Sequence, residues 1–269
     1  MPISGRRRLS IIIPSFNDAR IVRAIESVRA FDDAGETCII VVDGGSKPEL
    51  VSTISSMLTN DDVMISEPDR GIFDALNKGL AASDTEYIGW IGSDDYFSGL
   101  LKSTEVIESL ATCDLFVANT AMVRGATVAR ITHSWPSRFN LARFGLHNPH
   151  FSTFGRANLL KREKFSLELR GADIDYFLRI FGHDPLVRTS SKVSTLQEVG
   201  GFSNSSYKAI LRTNAELYRV YKSFLPAPLA GLALILKLGY KISMSSYARL
   251  RPNYRVKKFM SRSRMLRRA

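Results

Sequence analysis

The sequence predicts an α/β protein with a mostly parallel central sheet flanked by helices, followed by a basic helical C-terminal extension. Two patterns along the chain and one in its charge carry that expectation. In the first part of the chain, short β-branched runs alternate with segments of helical period, as in sheets built from strand–helix–strand crossovers. Several of those runs stop abruptly in polar, glycine-rich or acidic residues. The formal net charge of +11, from 37 Lys and Arg against 26 Asp and Glu, is also unevenly distributed. Residues 206–269 hold 15 basic side chains and one acid, Glu216, for +14, which leaves residues 1–205 at −3.

Taken in order, residues 9–14 predict the first strand, and Asp18 stands where it can cap a helix whose Ile21, Val22, Ile25 and Val28 share one face. Residues 38–42 are a continuous apolar run of the buried-strand kind, ending at Asp43, Gly44, Gly45 and Ser46. A helix is predicted over 48–58, a third strand over 63–66, and a helix over 72–82 that buries Ile72, Ala75, Leu76 and Leu80. The fourth strand, 87–91, ends in Gly92, Ser93, Asp94 and Asp95. From 115 to 135 apolar and polar residues alternate, which predicts antiparallel hairpin strands. A loop rich in aromatics and histidine, 144–154, precedes a helix over 172–181 that opens with Asp173 and Asp175, where acids suit the helix dipole.

The tail reads as two helices, about 204–224 and 229–245. Residues 224–236 form a 13-residue stretch without charge that contains Pro226 and Pro228. A membrane span needs roughly 20 apolar residues. Apolar residues backed by Lys and Arg instead fit a helix lying in the interface of an anionic membrane. The charge shift therefore divides the chain into a catalytic-type domain, 1–205, and a basic amphipathic tail, 206–269, expected to anchor on a membrane surface. Nucleic acid is not the expected partner, because a greasy Pro-bounded segment has no place in a nucleic-acid-binding tail.

With 45% hydrophobic and 23% charged residues, the 269-residue chain excludes collagenous, coiled-coil and wholly disordered readings. Cys38 and Cys113 lie far apart in apolar stretches without zinc-ligand spacing, as expected of buried reduced thiols. Arg6, Arg7 and Arg8 precede an apolar run that Pro14 closes too early for a signal peptide, so a cytoplasmic location is expected.

In open parallel sheets ligands bind beyond the carboxyl ends of the strands. Three predicted strand ends carry candidate residues: Pro14 to Asn17, Asp43 to Ser46, and Ser93 to Asp95. Adjacent carboxylates such as Asp94 and Asp95 repel each other, and a hard divalent cation relieves that repulsion through oxygen ligands; the alternative is a solvated turn. Asp43 can accept from a base or ribose beside glycines that admit a ligand, or can simply belong to a turn with Ser46 as helix cap. Asp69 and Arg70 introduce a helix, either as a cap or with Arg70 facing a phosphate. Trp90 and Trp135 can stack on a sugar, although packing accounts for Trp90 equally well.

Together, IIIPSFN at 11–17, VVDGGS at 41–46, EPDRGIFDALNKG at 67–79 and WIGSDDYF at 90–97 resemble the ordered signature of the family-two glycosyltransferases, which have the GT-A fold. The resemblance covers about residues 9–185 and is nearest to bacterial enzymes of exopolysaccharide, colanic acid and O-antigen assembly. It implies an inverting transfer from a nucleotide-diphosphate sugar, a UDP-sugar being the expected donor, with manganese or magnesium. It further implies that Pro14 and Asn17 border the nucleotide, that Asp43 meets the base, and that Asp69 and Arg70 complete the nucleoside and diphosphate site. Asp94 then meets ribose or metal and Asp95 the metal; the motif here is Ser93-Asp94-Asp95, with Ser in place of the first acid of a strict DXD. Ala172-Asp173-Ile174-Asp175 resembles the segment that carries the base, which makes Asp173 the expected base and Asp175 its reserve. Asn148-Pro149-His150 resembles a Pro-His segment that puts His150 on the acceptor or diphosphate side.

The function expected from these residues is transfer of a sugar to a lipid-linked glycan precursor of bacterial surface polysaccharide, by an enzyme peripheral on the inner face of the cell membrane. Two rivals are weaker. A non-catalytic scaffold with a nucleic-acid-binding tail has no reason to retain every acidic position. A nucleotidyltransferase needs a glycine-rich phosphate loop after the first strand, where Pro14-Ser15-Phe16-Asn17 has no glycine.

Overall fold

The computed structural model describes residues 7–124, 127–132, 150–169, 171–198 and 207–237. Four parallel strands form one half of the sheet: β1 (Leu9–Ser15), β2 (Thr37–Asp43), β3 (Val63–Ser66) and β4 (Tyr87–Trp90). Helices α1 (Ile21–Phe31), α2 (Pro48–Met57) and α3 (Ile72–Ala82) connect them. Every residue of β1 and β2 is buried, and successive side chains enter opposite cores. Ile12, Ile40, Val42, Ile88 and Trp90 face α3, whereas Ile11, Ile13, Ile39, Val41 and Ile91 face α1 and α2. This two-residue alternation with both faces apolar is what a sheet covered on both sides by helices requires.

The second half of the sheet is mixed. The order is β3-β2-β1-β4-β8-β6-β9-β5, with β7 also on β6. Its members are β5 (Tyr96–Phe97), β6 (Leu115–Arg124), β7 (Thr127–Thr132), β8 (Thr153–Arg156) and β9 (Val187–Glu198). The expected antiparallel hairpin is β6 with β7. Strand β6, however, is buried along nearly its whole length because β9 runs parallel to it on one side, with β8 and β7 on the other. The loop expected before residue 154 ends instead in a 3-10 turn, His150–Ser152, and the central strand β8. Trp135 lies outside the described residues. Helices α4 (Ser103–Leu110), α5 (Ala157–Leu160) and α6 (Ala172–Gly182) complete the body.

The tail begins with α7 (Tyr207–Phe224) and a second helix over 227–237. Leu217, Val220, Tyr221, Ala230 and Ala233 are buried in the same cluster as α3, Trp90 and α6. The contact is close: a Cβ built on Gly171, the residue before α6, would stand 2.8 Å from Leu217 Cδ2. Burying side chains of this size contributes about 2 kcal/mol each. The change of charge at 205/206 is thus not a boundary in packing, since residues 217–233 help to build the core. No helix among the described residues is long and apolar enough to cross a membrane.

Candidate active site

The carboxyl ends of β1, β2, β3 and β4 meet in one cluster of loops, tied by side-chain bonds between them. Asn17, held at φ 49°, donates its N–H to Ser46 Oγ at 2.7 Å and accepts from Lys47 N–H at Oδ1, 3.1 Å. These bonds join the β1 loop to the β2 loop. The Asp69 carboxylate accepts from Gly71 N–H at 2.8 Å and lies against Gly44, where a Cβ would come within 2.6 Å of Asp69 Oδ2. Gly44 is therefore required for the β3 loop to approach. Ser93 Oγ donates to Asp18 Oδ2 at 2.9 Å and so joins the β4 loop to the β1 loop.

Asp43 is wholly buried at the end of β2. Its Oδ2 accepts from Ser46 N–H at 2.9 Å, Ser66 Oγ at 2.9 Å and Gly45 N–H at 3.2 Å, and its Oδ1 from Ser46 Oγ. This carboxylate organises the turn that presents Gly44 and Gly45. Ser46 accordingly caps Asp43 and not α2, whose N-cap residue is Lys47 and has no side-chain cap bond. Asp18 likewise does not cap α1: its carboxylate binds Arg20 Nε at 2.8 Å and Nη2 at 2.9 Å. Burial pushes the Asp18 carboxyl upward, but the bonds from Arg20 and Ser93 outweigh that and hold it below the usual range.

Asp94 and Asp95 converge on Gly92. A Cβ there would lie 2.9 Å from Asp94 Oδ1 and 3.1 Å from Asp95 Oδ2, so only glycine leaves both carboxylates their positions. Asp94 is half-exposed, with Arg20 Nη1 at 3.8 Å from its Oδ2. Asp95 is 4% exposed and accepts from Gln197 Nε2 at 3.0 Å, which excludes the solvated turn for Asp95. Burial, reinforced by the charge of Asp94, pushes the Asp95 carboxyl up to about 7. A buried carboxylate next to a second one, with the Arg20 guanidinium 3.8 Å from Asp94, is a donor set that suits a hard divalent cation. Among the described residues, no group of three or more His, Cys, Asp or Glu is arranged around a metal position.

Beside this cluster sits a second group. Trp90 is fully buried, edge-on to Phe165, Tyr176 and Phe177, and donates its indole N–H to the carbonyl of His150; its role is packing and not sugar stacking. Thr195 Oγ1 holds the Phe151 carbonyl at 2.7 Å. Both bonds fix the 150–152 turn next to the strand that leads into Asp94. His150 Nδ1 is 3.8 Å from Asp173 Oδ2, in the first turn of α6. Burial lowers the His150 pKa, opposed by the Asp173 charge. Asp175 points elsewhere: its Oδ2 accepts from Arg179 Nε at 3.0 Å and Nη2 at 2.8 Å, and Arg179 also binds Glu163. Asp173 is thus the acid of the pair that stands by His150. Asn148 and Pro149 lie outside the described residues.

Of the remaining expected residues, Pro14 is buried within β1, and the Arg70 side chain is exposed without a bonded partner among the described residues. Sequence reasoning missed Ser15, whose Oγ is buried and unpartnered among the described residues, and also Gln197 and Tyr221. Gln197 had no legible signal, since β9 is a largely polar strand that becomes buried only over Val193–Leu196.

Residues 10–166 match the model of glycosyl transferase family 2, more than half of the chain. The chain belongs to this family. As a family 2 glycosyltransferase it resembles an uncharacterized glycosyltransferase, Rv1514c, of Mycobacterium tuberculosis, at 36% identity over 104 residues. That stretch spans 38% of this chain and 40% of the relative. A PGL/p-HBAD biosynthesis glycosyltransferase of Mycobacterium bovis is 28% identical over 209 residues, 73% of this chain and 79% of its own. Among solved structures, S. aureus TarS 1-349 in complex with UDP superposes with a TM-score of 0.61 at 16% identity, covering 96% of this chain and 76% of TarS 1-349. The mannosyltransferase PcManGT from Pyrobaculum calidifontis, in complex with GDP-Man and Mn2+, gives 0.60 at 17% identity, covering 91% and 74%. At such identities the likeness is one of fold, and the glycosyltransferase has the GT-A architecture that its sequence predicts.

Proposed function

We propose that this glycosyltransferase inverts the anomeric centre as it moves a sugar from a nucleotide-diphosphate donor, a UDP-sugar, to a lipid-linked glycan acceptor of bacterial surface polysaccharide. The observation that supports the reading is that side-chain bonds tie the four strand-end loops together, with the buried Asp95 next to Asp94 in the last of them and the His150 carbonyl bonded to Trp90 at the end of β4. The neighbours in complex with UDP, UDP-GlcNAc and GDP-Man support a nucleotide-sugar donor.

In this reading Gly44 and Gly45 let the nucleotide approach the backbone at the end of β2, in a turn that Asp43 holds rigid. Asp69 and Arg70 flank that position, Arg70 with a guanidinium free to meet a phosphate. Asp94 and Asp95 would hold a manganese or magnesium ion, whose charge offsets that of the departing diphosphate. Asp173 accepts the proton of the acceptor hydroxyl as its oxygen forms a bond to the anomeric carbon, and the diphosphate leaves with the electron pair of the bond that breaks. His150 stands 3.8 Å from the Asp173 carboxylate. Thermal-shift titration with UDP-, GDP- and dTDP-sugars in the presence of manganese tests the donor site: stabilisation by UDP-sugars above the others is expected, and no response to any nucleotide-sugar would exclude the reading.

A further inference from the structure

The helix over 227–237 is apolar on both of its sides. Its core-facing side buries Ala230, Ala233 and Lys237 and packs the half-buried Leu234 against the same cluster. Its outer side presents Leu229, Leu232 and Ile235 at 50%, 49% and 67% exposure, three large aliphatics at three-residue spacing. Pro226, Ala227 and Pro228 before them are also exposed, and residues 224–236 contain no charged side chain to break the patch. An exposed helix face normally carries the polar residues and a buried one the large apolar residues. Large aliphatics on the outer side as well mark a surface that is covered in use.

What covers it is indicated by the chain that follows. Residues 238–269 hold ten Lys and Arg and no acid. We propose that Leu229, Leu232 and Ile235 form a docking face that inserts among the headgroups of an anionic lipid bilayer, with the basic residues beyond 237 bound to the same surface. Apolar insertion and charge attraction add in such contacts, and together they hold a peripheral protein that neither holds alone. A soluble protein partner of acidic character would answer the charge but not a face without a single polar group. The placement also has a consequence that rests on the function proposed above. Ala230 and Ala233 pack into the cluster that contains α6, so docking would hold the body that carries Asp173 at the membrane of a lipid-linked acceptor.

Flotation of the full chain with vesicles tests the face directly. Vesicles of phosphatidylcholine with phosphatidylglycerol are expected to carry the protein upward, neutral phosphatidylcholine vesicles much less. Replacing Leu232→Asp and Ile235→Asp together lowers partition into the anionic vesicles by about tenfold or more while leaving the melting temperature and nucleotide-sugar hydrolysis unchanged. Wild-type protein that stays at the bottom of the gradient, or a double variant that floats like wild type, overturns the proposal. So does a double variant whose only change is the loss of a dimer in light scattering, which would make the face a contact between copies. Protein that floats but never turns over a nucleotide-sugar removes the proposed function and leaves the docking face standing.

Discussion

Replacing Asp95 with Asn removes a negative charge from a place that resists it. The carboxyl is 4% exposed and rises from 3.8 to about 7 in the folded protein. That rise of roughly three units, at about 1.4 kcal/mol each, sets about 4 kcal/mol as the upper cost of holding the residue ionised in the metal-free fold. Because the folded-state pKa is raised above the unfolded one, the associated stability is present below about pH 4 and is lost as pH climbs through about 7. Asn can still accept from Gln197 Nε2 through its own Oδ1. With EDTA present, Asp95→Asn should therefore be more stable than wild type at pH 8, by about 2 to 4 kcal/mol, and the advantage should shrink toward pH 5. Differential scanning fluorimetry at the two pH values measures this. Added manganese should raise the melting temperature of wild type at pH 8 and leave the variant where it is. A variant that melts below wild type at pH 8 in EDTA, or a difference that ignores pH, refutes the assignment of Asp95 as a buried, uncompensated acid.

Three further outcomes follow from the same geometry. Asp43→Ala removes the acceptor of four hydrogen bonds in a buried turn and should lower unfolding stability by about 3 kcal/mol in a urea titration, with weaker UDP-sugar binding as the turn loosens. Tyr221→Phe deletes a buried hydroxyl that has no bonding partner among the described residues, so it should leave stability unchanged or raise it by about 1 kcal/mol in the same titration. Gly92→Ala drives a methyl group against Asp94 and Asp95 and should weaken manganese binding by calorimetry while leaving the neighbouring strands folded.

The parallel half of the fold was legible in the sequence because β1, β2 and β4 are buried on both faces. Runs such as Ile11–Ile13 and Ile39–Val42 then have no polar interruption, and they stop where the sheet stops. The mixed half was not legible for the opposite reason. Strand β5 has two residues, β8 has four, and β9 is largely polar with four of its twelve residues exposed, so none offers a periodic signal. Their strand character comes from partners distant in sequence. The acids of the site announce themselves by standing at strand ends, but whether each is free to meet a ligand depends on neighbours that spacing does not reveal. Asp43 is saturated by its own turn and Asp175 by Arg179, while Asp95 has only Gln197 and a backbone N–H, that of Glu198. The charge of the tail was equally plain, yet it obscured Leu217, Val220 and Tyr221, which make α7 part of the core.

The central claim is a sugar transfer in which Asp173 takes the acceptor proton. It is tested most directly by nucleotide release from UDP-, GDP- and dTDP-sugars with manganese, measured for wild type, Asp173→Asn and Asp175→Asn. The account predicts release by wild type from a UDP-sugar, a fall of about 10²- to 10⁴-fold for Asp173→Asn, and a much smaller change for Asp175→Asn that follows its stability. Full activity in Asp173→Asn, or loss in Asp175→Asn alone, would contradict it.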